Sequence, residues 1–462
     1  MMLDPVVTRF VERSPLTVMA QVALERALDP VWVDGLFEQF RERQYTRQLL
    51  FSSTVELMSL VALGLQPSIN AAAQAKDDLE VSVAALYDKI NGTEPGLSRA
   101  LVAGSAERLK PIAKEVRNSR KGLMPGYQVR VIDGNHLPAS QKRLAALRGL
   151  RGAALPGHSL VVYDPDAALV LDLVPCEDAH AQERTLVPAV IETVQAGQLW
   201  IADRNFSTTA IMVGIHKRKG AFVIREHGSS PNPKELGPLR EKGRANTGKL
   251  FEQAVEIETD EGEKIVVRRI ELNLDEPTDG GETVIRILTN LPKSKSAQDV
   301  ASVYRHRWRI ENMFQWLESV LHSEVRTLGR PRAALFAFSV AVLAYNVLSV
   351  VQSAVEQAHE IQDVPGGALS LYYIANAIKI TYEGMIIAVP DEAWTMSRPL
   401  TSAQIAKFLL DAAAHVKIAK FRKHTRGPKK IVKKGYAPGH VVRRHVSTAR
   451  LLKEAKSSRK SP

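Results

Sequence analysis

The chain reads as an α/β protein built on a mixed sheet, with helical regions before and after it. Three observations lead there. From about 126 to 227 the apolar spacing switches between strand and helix periods, in the order strand, strand, strand, helix, strand, helix, strand. Residues 1–125 and the stretch from about 330 to 415 carry helix-length apolar runs instead. Residues 228–292 hold short β-type runs punctuated by glycine and proline.

Taken in order, Phe37, Phe40 and the run from Leu49 to Leu65 mark the first helical region. Ser82 to Ile90, a turn at Asn91-Gly92 and Glu94-Pro95-Gly96, and Leu97 to Leu109 form a helix pair, a candidate for contact with a DNA end. Tyr127 to Gly134 alternates and closes on Asp133 and a turn, so it predicts a strand that delivers Asp133 at its end. Ser159 to Asp164 and Ala168 to Pro175 are the next two strands, joined by the turn Asp164-Pro165-Asp166. Glu183 to Gln195 predicts a helix, and Leu199 to Asp203 a short strand that again ends in an aspartate. Ser207 is placed to cap a helix running to Lys219, and Ala221 to Arg225 is the fifth strand.

A β-rich insertion over 228–292 includes Ala254 to Ile257, Lys264 to Ile270 and Thr283 to Leu288. After Ser296 comes an amphipathic helix through Tyr304 to Glu318, whose Ile310, Phe314, Leu317 and Leu321 share one apolar face. Tyr304, Arg307 and Glu311 lie on an adjacent stripe, since residues three, four and seven apart share a helix face. The expected division is therefore 1–125 helical, 126–227 and 293–350 a two-part core, 228–292 insertion, 351–415 helical, and 416–462 a tail.

Composition narrows the class. With Cys176 as the sole cysteine, neither a disulfide nor a Cys-based zinc site can form within one chain, which fits a reducing cytoplasm. Met1-Met2-Leu3-Asp4-Pro5 lacks the basic-then-apolar pattern of a signal peptide. The uncharged run from Ala334 to Val351 contains Ser339, Asn346 and Ser349, and predicts a buried core helix, not a membrane span. The net charge of +12 is uneven: residues 416–462 hold 16 Lys and Arg against Glu454 alone, leaving 46 basic and 49 acidic residues elsewhere. That tail predicts a polyanion-binding arm.

Asp133, Asp203 and Glu311 come from two strand ends and one helix, and the element order lets them converge on one sheet edge. Gathered carboxylates repel unless a hard cation joins them, and Mg²⁺ or Mn²⁺ takes carboxylate and phosphate oxygens together. Two such ions about 3.5–4 Å apart suit phosphodiester displacement.

These residues resemble the insertion-sequence transposases with a DDE active site, and within them the insertion sequence four (IS-four) branch. The likeness rests on Ile132-Asp133-Gly134, on Ile201-Ala202-Asp203-Arg204-Asn205-Phe206, and on Tyr304-x-x-Arg307-x-x-x-Glu311, and spans about 125 to 350. A β-rich insertion before the acidic helix is also similar. The resemblance implies an RNase H-like core with Asp133, Asp203 and Glu311 as catalytic metal ligands. It implies Mg²⁺-dependent cleavage at terminal inverted repeats of double-stranded DNA, then attack on target DNA by the freed 3′ hydroxyl. Cut-and-paste transfer by a homodimer on paired ends, in the cytoplasm at the nucleoid, is the expected mode. Tyr304, Arg307 and Arg204 would contact DNA phosphate. The family motif ends in a lysine seven residues after the glutamate, where this chain has Glu318. Arg305 and Arg309 are the nearby substitutes. The alternatives are a DNA-binding relic that has lost cleavage and an RNase H-like nuclease without strand transfer.

Overall fold

The computed structural model describes residues 5–458 except 47, 77, 78, 80, 119, 141–143, 150, 151, 229, 230, 260, 279, 324, 326, 362–368, 396, 397 and 424–445. Its strands are β1 (Gln128–His136), β2 (Ala154–Leu155), β3 (His158–Asp164), β4 (Leu169–Cys176), β5 (Gln198–Ala202) and β6 (Ala221–Arg225). The insertion adds β7 (Lys234–Glu235), β8 (Arg240–Ala245), β9 (Gly248–Glu258), β10 (Lys264–Leu274) and β11 (Val284–Thr289), and the tail adds β12 (Val446–Ser447).

The five expected strands pair in the order β4-β3-β1-β5-β6. β3 lies antiparallel to both β1 and β4, whereas β5 runs parallel to both β1 and β6. This is the RNase H-like arrangement of a mixed sheet. The insertion does not stand apart from it. β11 pairs antiparallel with β6 and carries β10, β9, β8 and β7, so one sheet of ten strands results. β8 (Arg-Glu-Lys-Gly-Arg-Ala) is exposed almost throughout and has no apolar alternation, so its pairing with β9 alone reveals it.

Alternation sends successive strand residues to opposite faces. Val129, Val131, Leu199 and Ile201 join one buried cluster with the N- and C-terminal helices. Ile132, Trp200, Ala202 and Phe222 join a second, under the Thr209–Lys217 helix. The Pro331–Ala358 helix crosses the first face, and its most apolar 18-residue window is wholly buried against other elements of the fold, as its run of apolar residues predicts.

Three local expectations are corrected. The helix expected from Glu183 to Gln195 is only a 3-10 turn, Glu183–Leu186, followed by Val187–Ile191. The helix cap is Thr208, not Ser207. The acidic helix is also not continuous. Ala297–Arg305 and Trp308–Ser319 are separate, joined through His306 and Arg307 by tight bonds from Arg307 N to the Tyr304 carbonyl and from Ile310 N to the Arg307 carbonyl. Its deepest apolar residues are Ile310, Met313 and Leu317, with Phe314 only partly buried and Leu321 buried just past its end.

Of the tail, residues 424–445 and 459–462 lie outside the described residues. The part after them docks back on the body. β12 pairs with β2, the Thr448–Ser458 helix follows, and Arg450 bonds Asp178 at 2.8 Å.

Candidate active site

The register of β1 against β5 sets the site. Gln128 stands opposite Gln198 and Val131 opposite Ile201. Two residues further along come Asp133, still within β1, and Asp203, just past the end of β5, level with each other by the same register. Both share strand parity with Val131 and Ile201, so they belong to the face covered by the Trp308–Ser319 helix, which packs on β1. Asp133 lies inside β1, three residues before its end, because pairing with β3 continues to His136.

Asp133 is enclosed, with 17% of its side chain exposed. Its Oδ1 accepts from Gly134 N at 2.9 Å. Burial, and then the charge of Asp203, push its carboxyl up to about 7. Asp203 opens the turn Arg204–Phe206 and accepts from Asn205 N at 2.8 Å.

Glu311 reaches this centre through an arginine. Arg307 sits at the break between the two helices and donates to Asp133 Oδ2 at 3.3 Å and to Glu311 Oε1 at 2.6 Å. Tyr304 stands beside the same guanidinium, and burial lifts its phenol above the usual range. The structure therefore brings Asp133 and Asp203 together and places Glu311 across Arg307 from Asp133. Among the described residues no three His, Cys, Asp or Glu side chains converge as a ready ligand set for one ion.

One further acid was not legible from the sequence. Asn205 Nδ2 donates to Glu183 Oε2 at 2.7 Å, and Glu183 Oε1 stands 3.8 Å from His136 Nδ1. Gly134 makes room for it, since a methyl there would overlap the Glu183 carboxyl. Glu183 thus ties the turn after Asp203 to the backbone beside Asp133. In sequence it is only an acid at the start of a helix, a common place for one.

The other expected contacts divide. Arg204 is exposed and pairs with Glu282 of the insertion at 3.1 Å, while Glu282 also holds Arg225 at 2.6 Å. Arg309 donates to the Pro165 carbonyl at 2.9 Å. Glu318 is exposed.

The donor set suits a hard divalent cation. Asp133 and Asp203 offer carboxylate oxygens on one edge, with Glu183 and Glu311 near them, and Arg307 is ion-paired to Asp133 and Glu311. Asp133 and Asp203 act on each other electrostatically, while Glu311 is held by Arg307.

Asp133 inside β1 and Asp203 just past the end of β5 thus lie on adjacent parallel strands, faced by the acidic helix on an RNase H-like sheet. Residues 124–347 match the family model described as transposase DDE domain. It is also similar to "Putative transposase y4zB" of Sinorhizobium fredii (strain NBRC 101917 / NGR234), 25% identical over 230 residues, or 48% of this chain. The chain spans 60% of that relative's length.

Proposed function

We propose that this protein is a DNA transposase that cleaves the phosphodiester at transposon ends and joins the freed end to a target, by cut-and-paste. The observation that supports this most is the level placement of Asp133 and Asp203 on adjacent parallel strands, inside a transposase DDE domain. Asp133 and Asp203 would hold Mg²⁺, or Mn²⁺ in its place, with Glu311 added from the helix. Once bound, the ion would offset the carboxylate repulsion and polarise the phosphodiester.

The chain's own residues do the rest. Arg307 and Tyr304 receive the phosphate beside the carboxylates, and an arriving phosphate competes with Glu311 for the Arg307 guanidinium. That exchange frees Glu311 toward the aspartates. Glu183 and Asn205 keep the Asp203 turn in register with Asp133. Arg204 meets DNA when it leaves Glu282, since an exposed ion pair contributes at most about 1 kcal/mol. The helices over 1–125 and the basic tail would grip double-stranded DNA outside the site, with two copies acting on paired inverted repeats at the nucleoid.

A second reading has its own support. Glu311 is engaged with Arg307, and Glu318 stands where the family lysine would be, as expected of a copy that binds DNA without cutting it. The test is a set of duplexes carrying the DNA that flanks the gene on each side, incubated with Mg²⁺ or Mn²⁺. The transposase reading expects nicking by the wild type, joining of a pre-cut end, and no cutting but normal DNA retention by Asp133→Asn. Retention without any cutting by the wild type supports the relic. Equal cutting by Asp133→Asn defeats the site assignment, and cutting without joining leaves a plain nuclease.

A further inference from the structure

A cavity of about 890 Å³ opens at the other end of the sheet from the carboxylates, between the Pro95–Val116 helix, the start of β1 and the turn joining β3 to β4. Gln128 lines it, five residues before Asp133, which places it about 16 Å away along the strand. Lys110, Lys114, Arg117, Arg120 and Lys121 reach it from the helix and the segment after it. Arg130 and Arg309 join from β1 and the acidic helix, and the carboxylates lining it are Asp164 and Asp166.

Those two acids are already engaged. Asp164 holds Arg130 at 2.8 Å and accepts from the backbone N–H groups of Asp166 and Ala167. Asp166 accepts from Leu123 N at 2.9 Å. Arg117 is partly buried, and among the described residues its guanidinium donates only to Ser353 Oγ and the Asp166 carbonyl, neither of them charged. Arg120 pairs with Glu356 through one nitrogen, while its Nε is buried with no partner among the described residues. Lys110, Lys114 and Lys121 form no ion pair among the described residues.

Enclosed cations without anions are unfavourable, and proteins either pair them or bind a counter-charge. Burial holds both Lys110 and Arg117 below their usual ranges, with Arg130 and Arg120 adding repulsion. A fork of guanidinium donors ringed by ammonium groups matches phosphate oxyanions better than a single carboxylate.

We propose that this cavity is a phosphate-binding site separate from the carboxylate centre. Its ligand is a phosphate group, carried either on a phosphodiester backbone or on a free phosphorylated molecule. The proposal goes beyond the transposase reading and does not depend on cleavage.

The test uses the full chain in EDTA. The triple variant Lys110→Gln, Lys114→Gln, Lys121→Gln removes unpaired cations only. Two readings are taken against wild type: the thermal midpoint with inorganic pyrophosphate at fixed ionic strength, and the salt dependence of binding to a 20-base-pair duplex. Loss of about two to three units from the log–log salt slope assigns the site to a DNA backbone, at roughly 0.9 unit per phosphate. An unchanged slope with pyrophosphate protection seen only in the wild type assigns it to a free phosphorylated ligand. No difference in either reading overturns the proposal. If the triple variant does not fold, Lys114→Gln with Lys121→Gln, both exposed, gives the same test with a slope change of one to two units.

Discussion

Asp133 feels the strongest opposing forces in the site, because the sheet encloses it and Asp203 shares its edge. A carboxyl raised in the folded state favours folding fully below its unfolded value near 3.8, and that contribution disappears as pH rises through about 7. In EDTA the wild type should therefore lose stability between pH 4 and pH 8. Asp133→Asn should be more stable than wild type at pH 8, by up to about 4 kcal/mol, and no more stable at pH 4. Urea melts at the two pH values measure the difference, and parallel curves for both proteins would refute it. Gly134 gives a second residue-scale prediction. Gly134→Ala forces Glu183 aside and loosens the Asn205 turn, so DNA cleavage should fall at least tenfold while far-UV circular dichroism stays unchanged. Glu183→Gln keeps the shape and the acceptor for Asn205, and should lose less.

At the scale of elements, one side chain bonds the backbone of the sheet's edge strand, β4. β4 shifts register against β3 between Val162 and Tyr163. Asn346, buried in the Pro331–Ala358 helix, accepts from Val170 N and donates to the Val170 carbonyl, both at 2.8 Å. Asn346→Leu should destabilise the protein by about 2–5 kcal/mol, because both backbone groups are left buried without partners. Chemical denaturation would read this directly, and a change under 1 kcal/mol would show that the groups find other partners. The strands were legible because β1, β3 and β5 alternate or run apolar between clear turns. Asp203 was legible as a strand-end acid, whereas Asp133 was expected at a strand end and lies three residues inside β1, and the level they share is a property of the parallel register. The break at His306-Arg307 was not legible, since every residue there is compatible with a helix. Nor could the sequence pair Arg204 with Glu282, 78 residues away, or turn Arg309 toward Pro165.

Over the whole molecule, the helical regions and the sheet share one buried cluster. It runs from Val7 through the Pro331–Ala358 helix to Val416. Bridges such as Arg99–Asp172 at 2.7 Å and Arg120–Glu356 at 3.0 Å bind the N-terminal helices to the sheet and to the central helix. Charge follows a different plan: the body is near neutral, and the excess sits in residues 416–462. Deleting the chain after 415 should weaken binding to a DNA duplex and flatten its salt dependence by several units, at about 0.9 unit for each phosphate no longer neutralised. An unchanged slope in filter binding would rule out the tail as a DNA arm.

The central claim is that Asp133 and Asp203, set level by two parallel strands, form a cation site. Titration of Mn²⁺ into the wild type, Asp133→Asn and Asp203→Asn, followed by electron paramagnetic resonance of the free ion at pH 7.5, tests it most directly. The account predicts saturable binding by the wild type that either substitution weakens at least tenfold. Equal Mn²⁺ uptake by all three proteins would contradict it.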